Sequence, residues 1–107
     1  CLNITAWNNG KHNKTGSGYG LKIKRTDRDH NFNRDWKVIV LYLDGVSEPV
    51  DINIDKASFW NVSCRELIKK EIGEWLIDNN MALWSKNNPP RIKLEEINNN
   101  IFKASII

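Results

Sequence analysis

Cysteine is scarce in this chain: Cys1 and Cys64 are the only two. Two thiols cannot build the disulfide framework of a small secreted scaffold, and no Cys-x-x-Cys or paired-histidine spacing offers a metal site. No apolar run approaches the roughly 20 residues that cross a bilayer. A secretory signal pattern, an internal repeat and a low-complexity tail are missing too. Together these absences lead to the expectation of a cytoplasmic, reduced protein with no membrane partner, no metal and no cofactor. Three N-x-S/T sequons, at Asn3, Asn13 and Asn61, are no more than chance supplies in so asparagine-rich a chain. Cys1 raises the ideas of an N-terminal nucleophile and of a lipid-anchored residue. Strand patterning that begins at Leu2, with no linker, speaks against both, and removal of an initiator residue is the simpler expectation.

What is present suits one globular domain over residues 1–107. With 40% hydrophobic and 27% charged residues, disorder throughout is excluded. A chain of this length buries roughly two-thirds of its unfolded surface, enough for a core without staples. Tryptophan is over-supplied, with five: Trp7, Trp36, Trp60, Trp75 and Trp84. Most should fill volume in a small core. Trp7 and Trp36 are the best placed to act as exposed platforms.

Charge is unevenly spread. Residues 1–37 carry eight Lys/Arg against three acids, a balance of +5, while the remaining seventy stand at −2. A positive N-terminal third suits an anionic partner, nucleic acid first among them. A solvated basic surface is the plainer alternative.

Periodicity sets out the elements. Leu2–Trp7 alternates as a half-buried strand, as does Tyr19–Arg25, with Tyr19, Leu21 and Ile23 inward and Lys22 and Lys24 outward. Residues 26–35 have no clear period and read as an irregular loop with a turn of helix, pinned by Phe32. Trp36–Leu43 is apolar almost throughout, which predicts a central strand covered on both faces. Val50, Ile52 and Ile54 mark a fourth strand. Ser63-Cys64-Arg65-Glu66 reads as a capping box opening one principal helix, with Leu67, Ile68, Ile72, Trp75 and Leu76 on its inner face. Arg91–Ile97 and Ile101–Ile106 form a terminal hairpin across three asparagines. The fold class expected is α+β: a twisted, mostly antiparallel sheet or partly closed barrel of about six strands, packed on one principal helix.

Four constellations could carry chemistry. Gly16, Gly18 and Gly20 free backbone N–H groups to meet an anion, with Lys11 and Lys14 nearby. The run Gly16-Ser17-Gly18-Tyr19-Gly20 nevertheless matches neither G-x-G-x-x-G nor the P-loop, so a turn or bulge competes with that reading. Next, Lys22 and Lys24 on one strand face, followed by Arg25 and Arg28, would track phosphates, with Trp7 and Tyr19 stacking bases. Lysines on an edge strand also discourage aggregation, without any ligand. Third, Asp27-Arg28-Asp29-His30 with Arg34-Asp35 is either an ion-pair mesh or a site. In the second case His30 is a general base oriented by Asp27 or Asp29, with arginines on an anionic transition state and His12 as a second acid/base group. Last, Cys64 in a first helical turn is either an activated thiol or a small packed residue. Asp51, Asn53 and Asp55 spell the start of a calcium loop. They alternate along a strand, however, and no glycine turn or downstream glutamate follows.

The leading expectation is a small nucleic-acid-binding domain, DNA or RNA, that presents Lys11, Lys14, Lys22, Lys24, Arg25 and Arg28 to phosphates. A small phosphodiester hydrolase built on His30, Asp27 and Asp29 is the first alternative. A protein–protein adaptor or inhibitor is the second.

Overall fold

Alternating apolar residues close the first hairpin. Strand β1 (Leu2–Asn8) pairs antiparallel with β2 (Tyr19–Lys22), placing Ala6 against Leu21 and Thr5 against Lys22. Residues 2–8, 15–61, 65–81, 84 and 88–107 are described by the computed structural model. Cys1, the segment holding Lys11, His12 and Lys14, and the Ser63-Cys64 part of the expected capping box lie outside them.

After β2 come helix α1 (Arg25–Asn31), β3 (Val38–Leu43), β4 (Val50–Asn53), the single-turn α2 (Ala57–Trp60), β5 (Glu66–Ile68) and α3 (Lys70–Asp78). The hairpin β6 (Arg91–Asn98) and β7 (Ile101–Ile106) completes the order. The strands form one mixed sheet in the order β4-β3-β7-β6-β1-β2-β5. Among the described residues only the β3–β7 pairing is parallel. The two edge strands, β4 and β5, curl toward each other, so the sheet is nearly closed. The fold is thus α+β, with seven strands and three helices among the described residues, rather than about six strands and one helix.

Each difference has a local cause. Glu66–Ile68 was expected inside the helix but pairs with β2 instead, Leu67 against Leu21. Leu67 and Ile68 satisfy a helical period, yet Leu67 serves the core equally well from an edge strand, and β2 offers it open backbone partners. Ile23 N–H donates to Arg65 O and Arg65 Nε–H to Ile23 O, so the pairing runs on beyond the strand ends. The helix then starts only at Lys70. Strand β3 is internal, with neighbours on both sides, but it is not covered on both faces. Ile39, Leu41 and Leu43 are buried, while Val38 and Tyr42 are 40% and 37% exposed. One helix, α3, packs Ile72, Trp75 and Leu76 inward beside β2.

Inside the curled sheet lie Ile4, Ala6, Leu21, Ile23, Ile39, Leu41, Ile52, Leu67, Ile92, Leu94 and Phe102. Each large aliphatic side chain withdrawn from water contributes about 1.5–3 kcal/mol before chain entropy is counted. Among the described residues no helix is long and apolar enough to cross a membrane.

Candidate functional site

The parallel β3–β7 pair and the antiparallel β6 bring three chain ends together. The starts of β3 and β7 and the finish of β6 lie at one end of the sheet. Here the core ends in aromatic rings. Phe102 on β7 stacks on Phe32 at 4.9 Å and 8° between planes. Trp36 meets the Phe102 edge at 6.3 Å. On the other side Phe32 touches Phe59 at 5.5 Å, and Phe59 touches Trp60 at 5.1 Å. The result is a continuous line of rings, Trp36–Phe102–Phe32–Phe59–Trp60. Its three phenylalanines are buried, and its two terminal tryptophans are half-buried and reach the surface.

Both tryptophans line one open depression of about 620 Å³, together with Arg28–Asn33, Arg34 and Glu96. Helix α1 and the turn after it supply most of its wall. The helix begins without a side-chain cap, with Asp27 in the first turn and Arg28 and His30 in the last, a charge order that suits the helix dipole. Asn33 then folds the chain back: its Oδ1 accepts from Asp35 N–H, and its carbonyl accepts from Trp36 N–H. This asparagine turn puts Arg34 at its tip and returns Trp36 to the core edge. Trp60 is held from below, its indole N–H donating to Ile54 O at 2.9 Å. Glu96 arrives by strand alternation. It pairs with Phe102, on the same face as Ile92 and Leu94, just before the register shift between Glu96 and Asn98.

Arg28 is the pin of this region and is only 4% exposed. Its Nη1 donates to Phe59 O and Asn61 O, fixing α2 to α1. Nε and Nη2 grip Asp29 Oδ1 at 3.0 and 2.9 Å. The guanidinium also lies 5.5 Å from the centre of the Trp60 ring. Arg34 lies over the same ring at 5.6 Å but is exposed, and its N–H groups have no protein acceptor among the described residues. A guanidinium positioned by a ring and otherwise unspent is ready for an anion.

The residues expected to form a phosphate track are distributed differently. Lys11 and Lys14 fall outside the described residues. Tyr19, expected to stack a base, is fully buried, edge-on to Trp84 at 5.9 Å, and burial pushes its phenol above the usual range. It faces the core because Leu21 and Ile23 share its strand face. Arg28, expected at phosphates, is spent on two carbonyls and one carboxylate. β2 ends at Lys22, Ile23 continues the pairing to Arg65, and the extended Lys24 opens α1, so the strand carries no outward lysine beyond Lys24. Lys22 sits half-buried between Thr5 and Glu66 in the cross-strand row. Lys24 and Arg25 are exposed at the start of α1. Trp7 is half-buried, opposite Gly20.

The proposed catalytic trio does not assemble as a relay. His30 is exposed on the wall of the depression, without a hydrogen bond to any described carboxylate. The Asp29 carboxylate belongs to Arg28. Asp27 enters through its backbone, its carbonyl accepting from Asn31 Nδ2–H. Trp60 and Glu96 carried no local signal in the sequence. They join the site only because α2 and the end of β6 converge there.

No family model, curated protein or solved structure matches this chain. The chemistry of the site has only its own geometry to speak for it.

Proposed function

We propose that the chain binds single-stranded nucleic acid at the depression between Trp36 and Trp60, with Arg34 and His30 toward a phosphate. The observation that carries this reading is the unspent Arg34 guanidinium packed on Trp60, with Trp36, over which no described cation lies, as the partly exposed indole in the same depression that takes a base. Bases stack on aromatic faces with about 1–3 kcal/mol each, whatever their identity. An arginine beside the stack supplies the phosphate contact. A depression of about 620 Å³ has the size of a small-ligand pocket and can admit a base with its sugar. The basic N-terminal third then acts mainly through its field, drawing a polyanion toward the molecule. The proposed setting is cytoplasmic, in keeping with a chain poor in cysteine.

Hydrolysis with His30 as the base has less behind it, because no carboxylate holds the ring in register. Titrating the protein with a twelve-nucleotide oligothymidylate at low salt, read by tryptophan fluorescence, tests the proposal. Saturable quenching is expected, weakened about tenfold in Arg34→Ala, since a charged hydrogen bond contributes about 1.5–3 kcal/mol. Absence of quenching, or an Arg34→Ala protein that binds like the parent, overturns it.

A further inference from the structure

Two carboxylates line the aromatic depression, and only one of them is engaged. Asp29 is held by Arg28 at 2.9 Å. Glu96 is exposed and has no ion-pair or hydrogen-bond partner among the described residues, although Arg34 and His30 line the same depression. Strand β6 sets its place. Glu96 stands in register with Phe102, and residues paired in this way bring their Cβ atoms to about 5 Å. Trp36 meets the same Phe102 ring, with 6.3 Å between centroids. Glu96 and Trp36 thus flank one buried ring, and both open into the depression. A carboxylate on the wall of a depression that draws a polyanion weakens binding unless it meets a donor. Arg28 and Arg34 lie over Trp60, so Trp36, beside Glu96, is the ring left to take a base.

We propose that Glu96 reads the base stacked on Trp36, and that the base it selects is guanine. This rests on the reading of the depression as a single-strand site. An ionised carboxylate only accepts hydrogen bonds, and its two oxygens lie side by side. A base on an unpaired strand shows its whole Watson–Crick edge. Guanine alone presents two adjacent donors there, N1–H and the N2 amino group, which the two oxygens accept together. Cytosine and adenine each offer one amino donor beside a ring nitrogen that is itself an acceptor. Thymine offers N3–H between two carbonyls. With any of these three, one carboxylate oxygen faces a lone pair. Charge divides the roles: Arg34 takes the phosphate, and Glu96, which repels phosphate, takes the base edge.

The test titrates the full chain with twelve-nucleotide abasic strands that each carry one central base, read by tryptophan fluorescence beside the oligothymidylate. The guanine strand is expected to bind at least about tenfold more tightly than the thymine, adenine or cytosine strand, within the range a bidentate base contact gives. The hypoxanthine strand differs from the guanine strand only in lacking the N2 amino group, and it should lose most of that gain. In Glu96→Gln the gap between the guanine and thymine strands should close, because the amide keeps one acceptor and turns a donor toward a donor. Three results overturn the inference while the oligothymidylate still binds: equal midpoints for all bases, a preference that hypoxanthine keeps in full, or a preference that persists in Glu96→Gln. Failure of every strand, the oligothymidylate included, overturns the single-strand reading and this inference with it. Each comparison is a ratio within one protein, so a change of stability in the variant cannot imitate a loss of base choice.

Discussion

At the scale of single residues, Arg28 shows how a charged side chain becomes structural. Its fork satisfies two backbone carbonyls, one on the fully buried Phe59, and its remaining edge grips a half-exposed aspartate. Arg28→Ala leaves those carbonyls without a partner and opens space beside Trp60. A loss of about 2–4 kcal/mol in urea unfolding is expected, because a buried acceptor stripped of a charged donor keeps its desolvation cost. Asp29→Ala should cost less than about 1 kcal/mol, since that side of the pair is solvent-screened. Comparable losses in the two variants would assign the fixing role to the ion pair instead. Tyr19 gives the matching case for pH. Its phenol is raised in the folded state by burial, so the neutral form is favoured there. Its contribution is whole below the unfolded value near pH 10 and fades as pH climbs through the higher folded value. Tyr19→Phe cannot ionise, so its stability should fall less steeply than the parent's above about pH 10. Equal slopes in urea unfolding across that range would show that Tyr19 ionises freely.

Among the elements, the seat of α3 depends on two glycines that meet. A side-chain carbon on Gly73 would lie 2.0 Å from the Gly16 carbonyl oxygen, and backbone cannot move aside there. Gly16 itself has φ +90°, with Lys70 O and Glu74 closing over it. Gly73→Ala would raise helix propensity by about 1 kcal/mol in isolation. In the folded chain it should destabilise by a net 1–3 kcal/mol or so, the cost typical of overpacking. Thermal unfolding together with amide exchange in α3 checks this, and a stabilised variant would refute the close approach. The same contact explains what the sequence could show of this region. A glycine amid the helical period stands out in the sequence, but its partner, in a polar loop over fifty residues earlier, does not. The terminal hairpin was legible for the opposite reason: β6 and β7 are joined by a short asparagine turn, so local alternation was enough. Strand β5 was hidden because three residues carry too little pattern to separate a period of 2 from one of 3.6, and pairing with β2 decides the matter. Helix α1 was obscured by its polar composition. Its only fully inward side chain apart from the flanking Phe32 is an arginine.

Over the whole molecule, closure of the sheet rearranges the electrostatics that linear charge counting suggests. Of the basic residues in 1–37, Lys22 ends up on β2, Lys24 and Arg25 at the start of α1, Arg28 in the buried clasp and Arg34 at its turn, while Lys11 and Lys14 lie outside the described residues. Strand alternation foretold a shared cationic face for Lys22 and Lys24. The chain turns into α1 just after Lys24 and draws Arg28 inward, and that change of direction ends the track. The candidate site was therefore half legible. His30, Arg34 and Trp36 stood in the segment that drew attention, while Trp60 and Glu96 needed the tertiary fold to bring them in. A quantitative consequence separates a track from a point contact. Each phosphate neutralised along a single strand contributes about −0.7 to the slope of log affinity against log salt. A continuous surface of six cations should give a slope of about −4, whereas Arg34 on one phosphate beside stacked rings should give about −0.7. Measured for the oligothymidylate between low and moderate salt, the shallow slope is expected, and Lys22→Glu should change affinity less than about twofold while Arg34→Glu abolishes it. A steep slope shared by both variants would return binding to the dispersed basic surface, and the aromatic depression would lose its place as the site.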